Sequence, residues 1–336
     1  MHLKLIDTDK FSDSLRKRGI DSAARRILLT RFEGSEQEED ISLPSNCGGF
    51  GRLHRFNRYQ GKDWPLNPLP IDPAVHMLGL PYVDTLQAQV FQNAICSWRC
   101  WYCYVDFDLL SANRSHSDFK HVDDLIDCYL AENDSPPLVD LSGGQPDLVP
   151  EWILWFADAL HRRGLSSRVY LWSDDNLSND YLWRYLSSSE IDRLSSYSNY
   201  GRVGCFKGFD SSSFSFNTRA EPELFDRQFK LMRRLVDAQF NVFGYATFTA
   251  DSANNLSRKM SEFVDRLQGE VDPNFPLRLV PLKIVGYSPT ARRMSEVTQK
   301  AMDIQFDAVS AWNEEISRRF SSQDRSQRIH QVRLGA

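Results

Sequence analysis

The chain has 336 residues, 41% of them hydrophobic and 25% charged, with 40 Lys plus Arg against 45 Asp plus Glu for a formal net charge of −5. This is the composition of a globular chain long enough for one large domain or two small ones. It gives no overall basic character for holding nucleic acid, no apolar run of membrane-spanning length and no signal-peptide core at the N-terminus.

Residues 1–32 carry a weak helical pattern with basic pairs, and residues 33–47 are acidic, polar and poor in apolar side chains, the texture of a flexible loop. Residues 50–62 interleave aromatics with Arg52, Arg55, Arg58 and Lys62 and read either as a solvated loop packed by its own aromatics or as a grip for phosphates or stacked bases. Prolines at 65, 68, 70, 73 and 81 predict an irregular wrap without regular elements. From residue 84 strands and helices alternate. Strands are expected at 85–95, 138–141, 168–173, 202–209, 241–249 and 277–285. Helices are expected at 121–131, 150–161, 180–186, 222–240, 256–267 and 298–320. The helix at 150–161 opens on Pro150 and stops before Gly164. The one at 222–240 sets Phe225, Phe229, Met232, Leu235 and Val236 on one face. The Arg- and Ser-rich tail beyond 320 reads as loose. Six strand–helix units without hairpin signals predict a parallel sheet.

The six cysteines do not make a disulfide framework: three are clustered, and Cys47, Cys128 and Cys205 are scattered. The cluster is Cys96-Ser-Trp-Arg-Cys100-Trp-Tyr-Cys103, at the end of the first strand. Three thiolates on one tight loop can hold three irons of a 4Fe–4S cluster and leave the fourth open to a small molecule. Read alone, the loop also admits a zinc site with Cys128 or His121 as fourth ligand, or inert buried thiols. Further on, residues 138–146 read as a strand ending in the turn Ser142-Gly143-Gly144-Gln145-Pro146.

The C-x3-C-x-aromatic-C run, with Tyr102 before its last cysteine, followed by this glycine turn, resembles the radical S-adenosylmethionine (SAM) superfamily. The family carries Gly-Gly-Glu-Pro at the turn; here Gln145 replaces Glu and can still accept a hydrogen bond, without the charge. The resemblance implies an α/β fold, a partial (β/α)6 barrel over residues 84–296. Residues 1–83 would form an irregular, helical extension and a possible lid, and residues 297–336 a C-terminal helix with its tail. In such barrels chemistry gathers at the C-terminal strand ends. A 4Fe–4S cluster is implied on Cys96, Cys100 and Cys103, with SAM against Tyr102, Ser142, Gly143, Gly144 and Gln145. Its ribose would face Ser173, Asp175 and Asn176, residues that could equally cap a helix. The implied activity is reductive cleavage of SAM to a 5′-deoxyadenosyl radical that abstracts a substrate hydrogen atom. It calls for a one-electron donor such as a flavodoxin or ferredoxin, and a reducing, cytoplasmic compartment.

Other residues are weighed beside these. Lys207 lies in a strand expected to be buried on both faces and needs an anionic partner, whether cofactor, substrate or structural carboxylate. Cys205 and Cys47 are candidate hydrogen-atom donors or plain buried thiols. Tyr245, Thr247 and Arg278 are further candidates for the pocket wall. Arg52, His54, Arg55 and Arg58 would meet an anionic group if the N-terminal segment covers the cavity. The stretch after Lys207 loosely resembles glycyl-radical-enzyme activases, with Asn217-Thr218-Arg219 in place of Thr-Gly. No second Cys-rich segment follows Cys205, which weighs against a peptide maturase with auxiliary clusters. A small molecule or nucleotide is the favoured substrate and a peptide or protein the alternative. A non-catalytic, metal-stabilised binding protein is the reading outside enzymes.

Overall fold

The computed structural model describes residues 5–40, 43–132 and 135–335; parts of the first helical segment, the acidic loop and the tail lie outside these residues. Its strands are β1 (Ile20–Asp21), β2 (Arg26–Thr30), β3 (Gly51–Asn57), β4 (Thr85–Phe91), β5 (Ser117–His121), β6 (Leu138–Leu141), β7 (Tyr170–Asp175), β8 (Tyr200–Phe206), β9 (Val242–Thr247) and β10 (Leu279–Leu282). The larger sheet has seven strands in the order β10-β9-β8-β7-β6-β4-β3. From β4 to β10 every neighbouring pair in it is parallel. The six strands expected from the sequence are thus the parallel part of a curled, partial α/β barrel.

Every residue of β8 and β9 is buried, which is why these segments read as continuous apolar runs. Val90, Leu138, Trp172, Val203, Phe243 and Tyr245 fill the concave side. Phe91, Val139, Leu171 and Phe206 face the helical layer. The helices are α1 (Thr8–Gly19), α2 (Ile71–Met77), α3 (Val122–Ala131), α4 (Pro150–Arg162), α5 (Tyr181–Tyr185), α6 (Ser188–Ser195), α7 (Ser211–Thr218), α8 (Leu224–Asp237), α9 (Leu256–Arg266), α10 (Ser288–Arg293), α11 (Glu296–Arg319) and α12 (Ser322–Arg325). Trp312 of α11 packs on Phe263 of α9 and on Phe248, with ring centroids 6.2 and 5.6 Å away.

Four expectations are corrected. First, the sheet is not wholly parallel: residues 51–57 form β3, an antiparallel edge strand beside β4, where a loop was expected. An edge strand has one solvated side, so its Arg- and His-rich composition hid it. Second, residues 20–30 form a hairpin, β1 with β2, and β2 pairs with β5 in a separate three-stranded antiparallel sheet. Third, the proline-rich segment contains α2 and acts as a strap across the barrel's open side. Trp64 Nε1 donates to the Pro281 carbonyl of β10 (3.0 Å), and Asn67 Nδ2 to the Tyr245 hydroxyl of β9 (3.1 Å). Leu69, Ile71, Ala74 and Val75 enter the barrel's apolar interior. Fourth, the tail packs: Ile329 and Val332 are buried, and Arg278 Nε donates to the Val332 carbonyl at 2.8 Å.

Candidate functional site at the C-terminal strand ends

After β4 the chain leaves the large sheet and is caught by β2. Thr30 N donates to the Gln92 carbonyl (2.9 Å) and Ala94 N to the Leu28 carbonyl (3.0 Å). The cysteine loop follows. Cys96 N bonds the Leu110 carbonyl (3.0 Å), Arg99 N the Thr218 carbonyl (3.2 Å) and Trp101 N the Asn217 carbonyl (3.2 Å). Arg293 Nη1 donates to the Cys103 carbonyl at 2.7 Å. The aromatics of the motif are anchors: Trp98 Nε1 donates to Thr8 Oγ1 (3.2 Å) and Trp101 Nε1 to Asn217 Oδ1 (2.9 Å). The loop is therefore shaped by groups other than its thiols. Cys96, Cys100 and Cys103 all line one cavity of about 540 Å³.

Burial pushes the Cys96 thiol up to about 12 and the Cys100 thiol to about 11. Thiolates here need a cation beside them, as metal ligation supplies. The three sulfurs do not close to within 4.8 Å of one another. A tetrahedral zinc at Zn–S of about 2.3 Å would draw them to about 3.8 Å. Cys128 lies with Cys47 and Glu132, so it completes no zinc site on this loop. A cluster that takes each thiolate on a different iron suits the wider spacing. Arg99, Lys207 and Arg293 supply positive charge beside Cys103.

The glycine turn meets this loop. Gly143 and Gly144 have φ of +75° and +67°. A Cβ on Gly144 would lie 1.9 Å from Asn93 Oδ1, and one on Gly143 2.3 Å from Gln92 Oε1, so only glycine allows the close approach. Gln145 has no solvent exposure. Its Oε1 accepts from both Ser97 N and Ser97 Oγ at 2.9 Å, and its Nε2 donates to Asp147 Oδ2 (3.0 Å) and Ser178 Oγ (2.5 Å). The Gln145 side chain is thus fully engaged in tying the turn to the cysteine loop. The amide is suited to this task because it accepts on one side and donates on the other; a carboxylate would face Asp147 with like charge.

At the end of β7 the side chains alternate. Ser173 bonds the Tyr200 hydroxyl (2.7 Å), and Asp175 forms a buried ion pair with Arg202, whose Nε donates at 2.9 Å. Both point away from the cavity. Trp172, Asp174 and Asn176 line it, and Asn176 Nδ2 reaches Cys96 Sγ at 3.6 Å. A strand buried on both faces has no polar alternation to reveal which residues point inward, so Asp174 was passed over for its neighbours.

Asp140 and Gln37 were also missed. Asp140 lines the cavity, and its Oδ1 is buried without a hydrogen-bond partner. Burial, and then the nearby Asp174, hold its carboxyl well above the usual carboxylate range. Asp174 is pushed up to about 6 by burial, against the pull of Lys207. Asp140 sits in the apolar run Leu138–Leu141, and the reasoning that singled out Lys207 applies to it equally. Gln37, in the segment expected to be flexible, is buried and exchanges hydrogen bonds of 3.1 Å with Gln92 in both directions.

Cys205 and Lys207 line the cavity, as do Tyr102, Arg52, His54, Arg55 and Tyr245. Burial pushes the Cys205 thiol to about 12, so it is protonated, and pulls His54 down to about 4, so it is neutral. Other candidates are spent elsewhere. Arg58 is buried against Asp72 at 2.6 Å. Thr247 bonds the Tyr102 hydroxyl at 3.1 Å. Arg278 holds the Val242 carbonyl at 3.0 Å. Cys47 is not on the cavity wall, which removes it as a hydrogen-atom donor there.

No family model and no curated protein matches the chain. Among solved structures, 55% of it is similar to Streptococcus suis SuiB bound to S-adenosylmethionine, at 18% identity and TM-score 0.40, over 38% of that chain. The same holds for SuiB bound to precursor peptide SuiA, at 17% identity and TM-score 0.40, over 37% of that chain. TYW1 with a lysine-pyruvate adduct bound is similar over 53% of this chain and 61% of its own, at 11% identity and TM-score 0.34. The matched part thus spans well under half the length of SuiB.

Proposed function

We propose that this chain is a radical SAM enzyme acting on a small polar substrate. One observation carries the reading: Cys96, Cys100 and Cys103 on one loop, and the Ser142-Gly143-Gly144 turn on another, face a single cavity and are joined by Gln145. A 4Fe–4S cluster on the three cysteines, with SAM, would supply reductive cleavage of the cofactor and abstraction of a substrate hydrogen atom.

The chain's own residues do the rest. The turn backbone presents polar groups to the amino-acid end of SAM. Asp140 and Asp174 accept from its ammonium or ribose hydroxyls. Arg52 and Lys207 meet its carboxylate or an anionic group of the substrate. No ion pair joins these four to one another among the described residues, so a ligand with charges of both signs is complementary to them. Protonated Cys205 on the wall is a hydrogen-atom source within the cavity. Gln37 and β3 on one side and Asn67 of the strap on the other wall the cavity and narrow its access to bulk water. The volume of about 540 Å³ falls within the range of small-molecule sites. An external one-electron donor completes the system.

The test is anaerobic reconstitution with iron and sulfide, followed by dithionite and SAM. Brown protein that forms 5′-deoxyadenosine, and Cys96→Ala, Cys100→Ala and Cys103→Ala variants that do not, is the expected result. Zinc in the loop with no iron uptake would end the reading.

A further inference from the structure

Cys47 and Cys128, far apart in the chain and outside the cavity wall, converge with Glu132. The two sulfurs and a carboxylate oxygen all lie within 4.8 Å of one another. We propose that these three residues bind one divalent ion of the zinc class, with water in the fourth position.

Three features support the assignment. Cys128 lies in the last turn of α3 and Glu132 is the residue directly after the helix, so both ligands sit at one helix end. Glu132 follows the helix C-terminus, where the macrodipole disfavours an anion, and no Lys or Arg pairs with it among the described residues. A bound cation offsets both. Cys47 has φ of +51°, uncommon for a residue with a side chain, and its neighbours hold it there. Asn46 exchanges side-chain hydrogen bonds with Gln89 of β4 at 2.8 and 3.0 Å, and Gly49 bonds Phe32 and Asn46 through the backbone. The Cys47 amide also reaches Glu132 Oε1 at 3.5 Å, which orients the carboxylate toward the thiols.

The donor set is two soft thiolates and one carboxylate. It suits zinc or cobalt(II) rather than magnesium or calcium, which prefer oxygen throughout. Ligation replaces the two thiol S–H bonds with metal–sulfur bonds and releases two protons; the carboxylate joins as the anion and no electron moves. Drawing the ligand atoms in to about 3.5 Å completes the geometry. The ion would clamp the residues leading into β3 to α3, and so brace the strand that carries Arg52 and His54 to the cavity. This site is independent of the cysteine loop.

The experiment is metal analysis of the full chain purified anaerobically, with zinc and iron measured separately. One zinc per chain is expected, lost in Cys47→Ser and Cys128→Ser and reduced in Glu132→Gln, with iron uptake by the loop unchanged in all three. Because a variant could misfold, wild-type protein stripped with a chelator is also titrated with cobalt(II). A thiolate-to-cobalt absorption band saturating at one equivalent, alongside the loop cluster, supports the site. Absence of zinc together with absence of the cobalt band overturns it. So does zinc retained in both cysteine variants, or a Cys47–Cys128 disulfide, two mass units lighter, in the anaerobic protein.

Discussion

Where the β6 turn meets the end of β7, Gln145 donates to Asp147 and Ser178 and accepts from Ser97, while Asn179 Nδ2 donates to Asp147 at 2.7 Å. Elsewhere on the same cavity wall, Asp140 leaves a buried oxygen without a partner, and Asp174, Arg52 and Lys207 make no ion pair with it or with each other. Both regions are desolvated and rich in acids. The first has its valences filled from within the chain; the second leaves them for something else. In a folded interior an unfilled buried polar group is costly, so its persistence points to a ligand. On the proposed reading, saturated groups build the site and unsaturated ones are left for the ligand.

The largest break between the two regions is expected from the thiols. Replacing Cys100 with Ala should lower 5′-deoxyadenosine formation below about one hundredth of wild type. The unfolding temperature before reconstitution should hardly move, because Trp98, Trp101 and Arg293 hold the loop. Next, Gln145→Glu strikes the saturated region. It removes two donors and sets a second carboxylate beside buried Asp147, whose own carboxyl burial already pushes up to about 7. A loss of about 3 kcal/mol in urea unfolding at pH 8 is expected, smaller at pH 5 where one carboxyl takes up a proton. An unchanged midpoint would show that the tie is dispensable.

Two smaller effects belong to the unsaturated region. His54 has a folded-state value of about 4, below its ordinary value near 6.5, because burial disfavours the imidazolium. As pH falls the unfolded chain takes up this proton first. The stability His54 contributes is therefore present above pH 6.5 and lost as pH falls toward 4, by at most about 3 kcal/mol. Comparing wild type with His54→Gln across this window isolates it; parallel profiles would contradict its burial. Finally, Asp140→Asn should raise stability at pH 8 by about 1 kcal/mol, since a buried carboxyl whose Oδ1 has no partner becomes a neutral amide. SAM or substrate should bind more weakly in the same variant. A loss of stability would mean that the Asp140–Ser142 hydrogen bond outweighs the cost of the buried carboxyl.

The sequence disclosed the six parallel strands because burial on both faces writes itself as apolar runs such as residues 242–247. The same double burial concealed which side chains point inward. Ser173 and Asp175 look as suitable as Asp174 until the pleat is known. The cysteine loop and glycine turn were legible because their chemistry needs fixed residue types at fixed spacing. Gln145 looked like a weakened ligand, and its contact with Ser97 could only come from the fold, since the two lie on loops after different strands. β3 and the strap were hidden for another reason: their partners are long-range and their own composition is that of exposed chain.

The strap has a consequence for how the barrel closes. β9 and β10 are joined by a parallel ladder, but the chain from Trp64 to Val75 is held to them by side-chain hydrogen bonds and by Leu69 and Ile71 inserted inside. Lifting it would leave the strands paired but would break the buried Arg58–Asp72 ion pair and expose Leu69, Ile71, Ala74 and Val75. Hydrogen exchange is expected to show whether the strap's amides open separately from those of β8 and β9, which lie in the doubly buried sheet. On this side the barrel is closed by inserted side chains and their hydrogen bonds, where the rest of the wall is closed by a strand ladder.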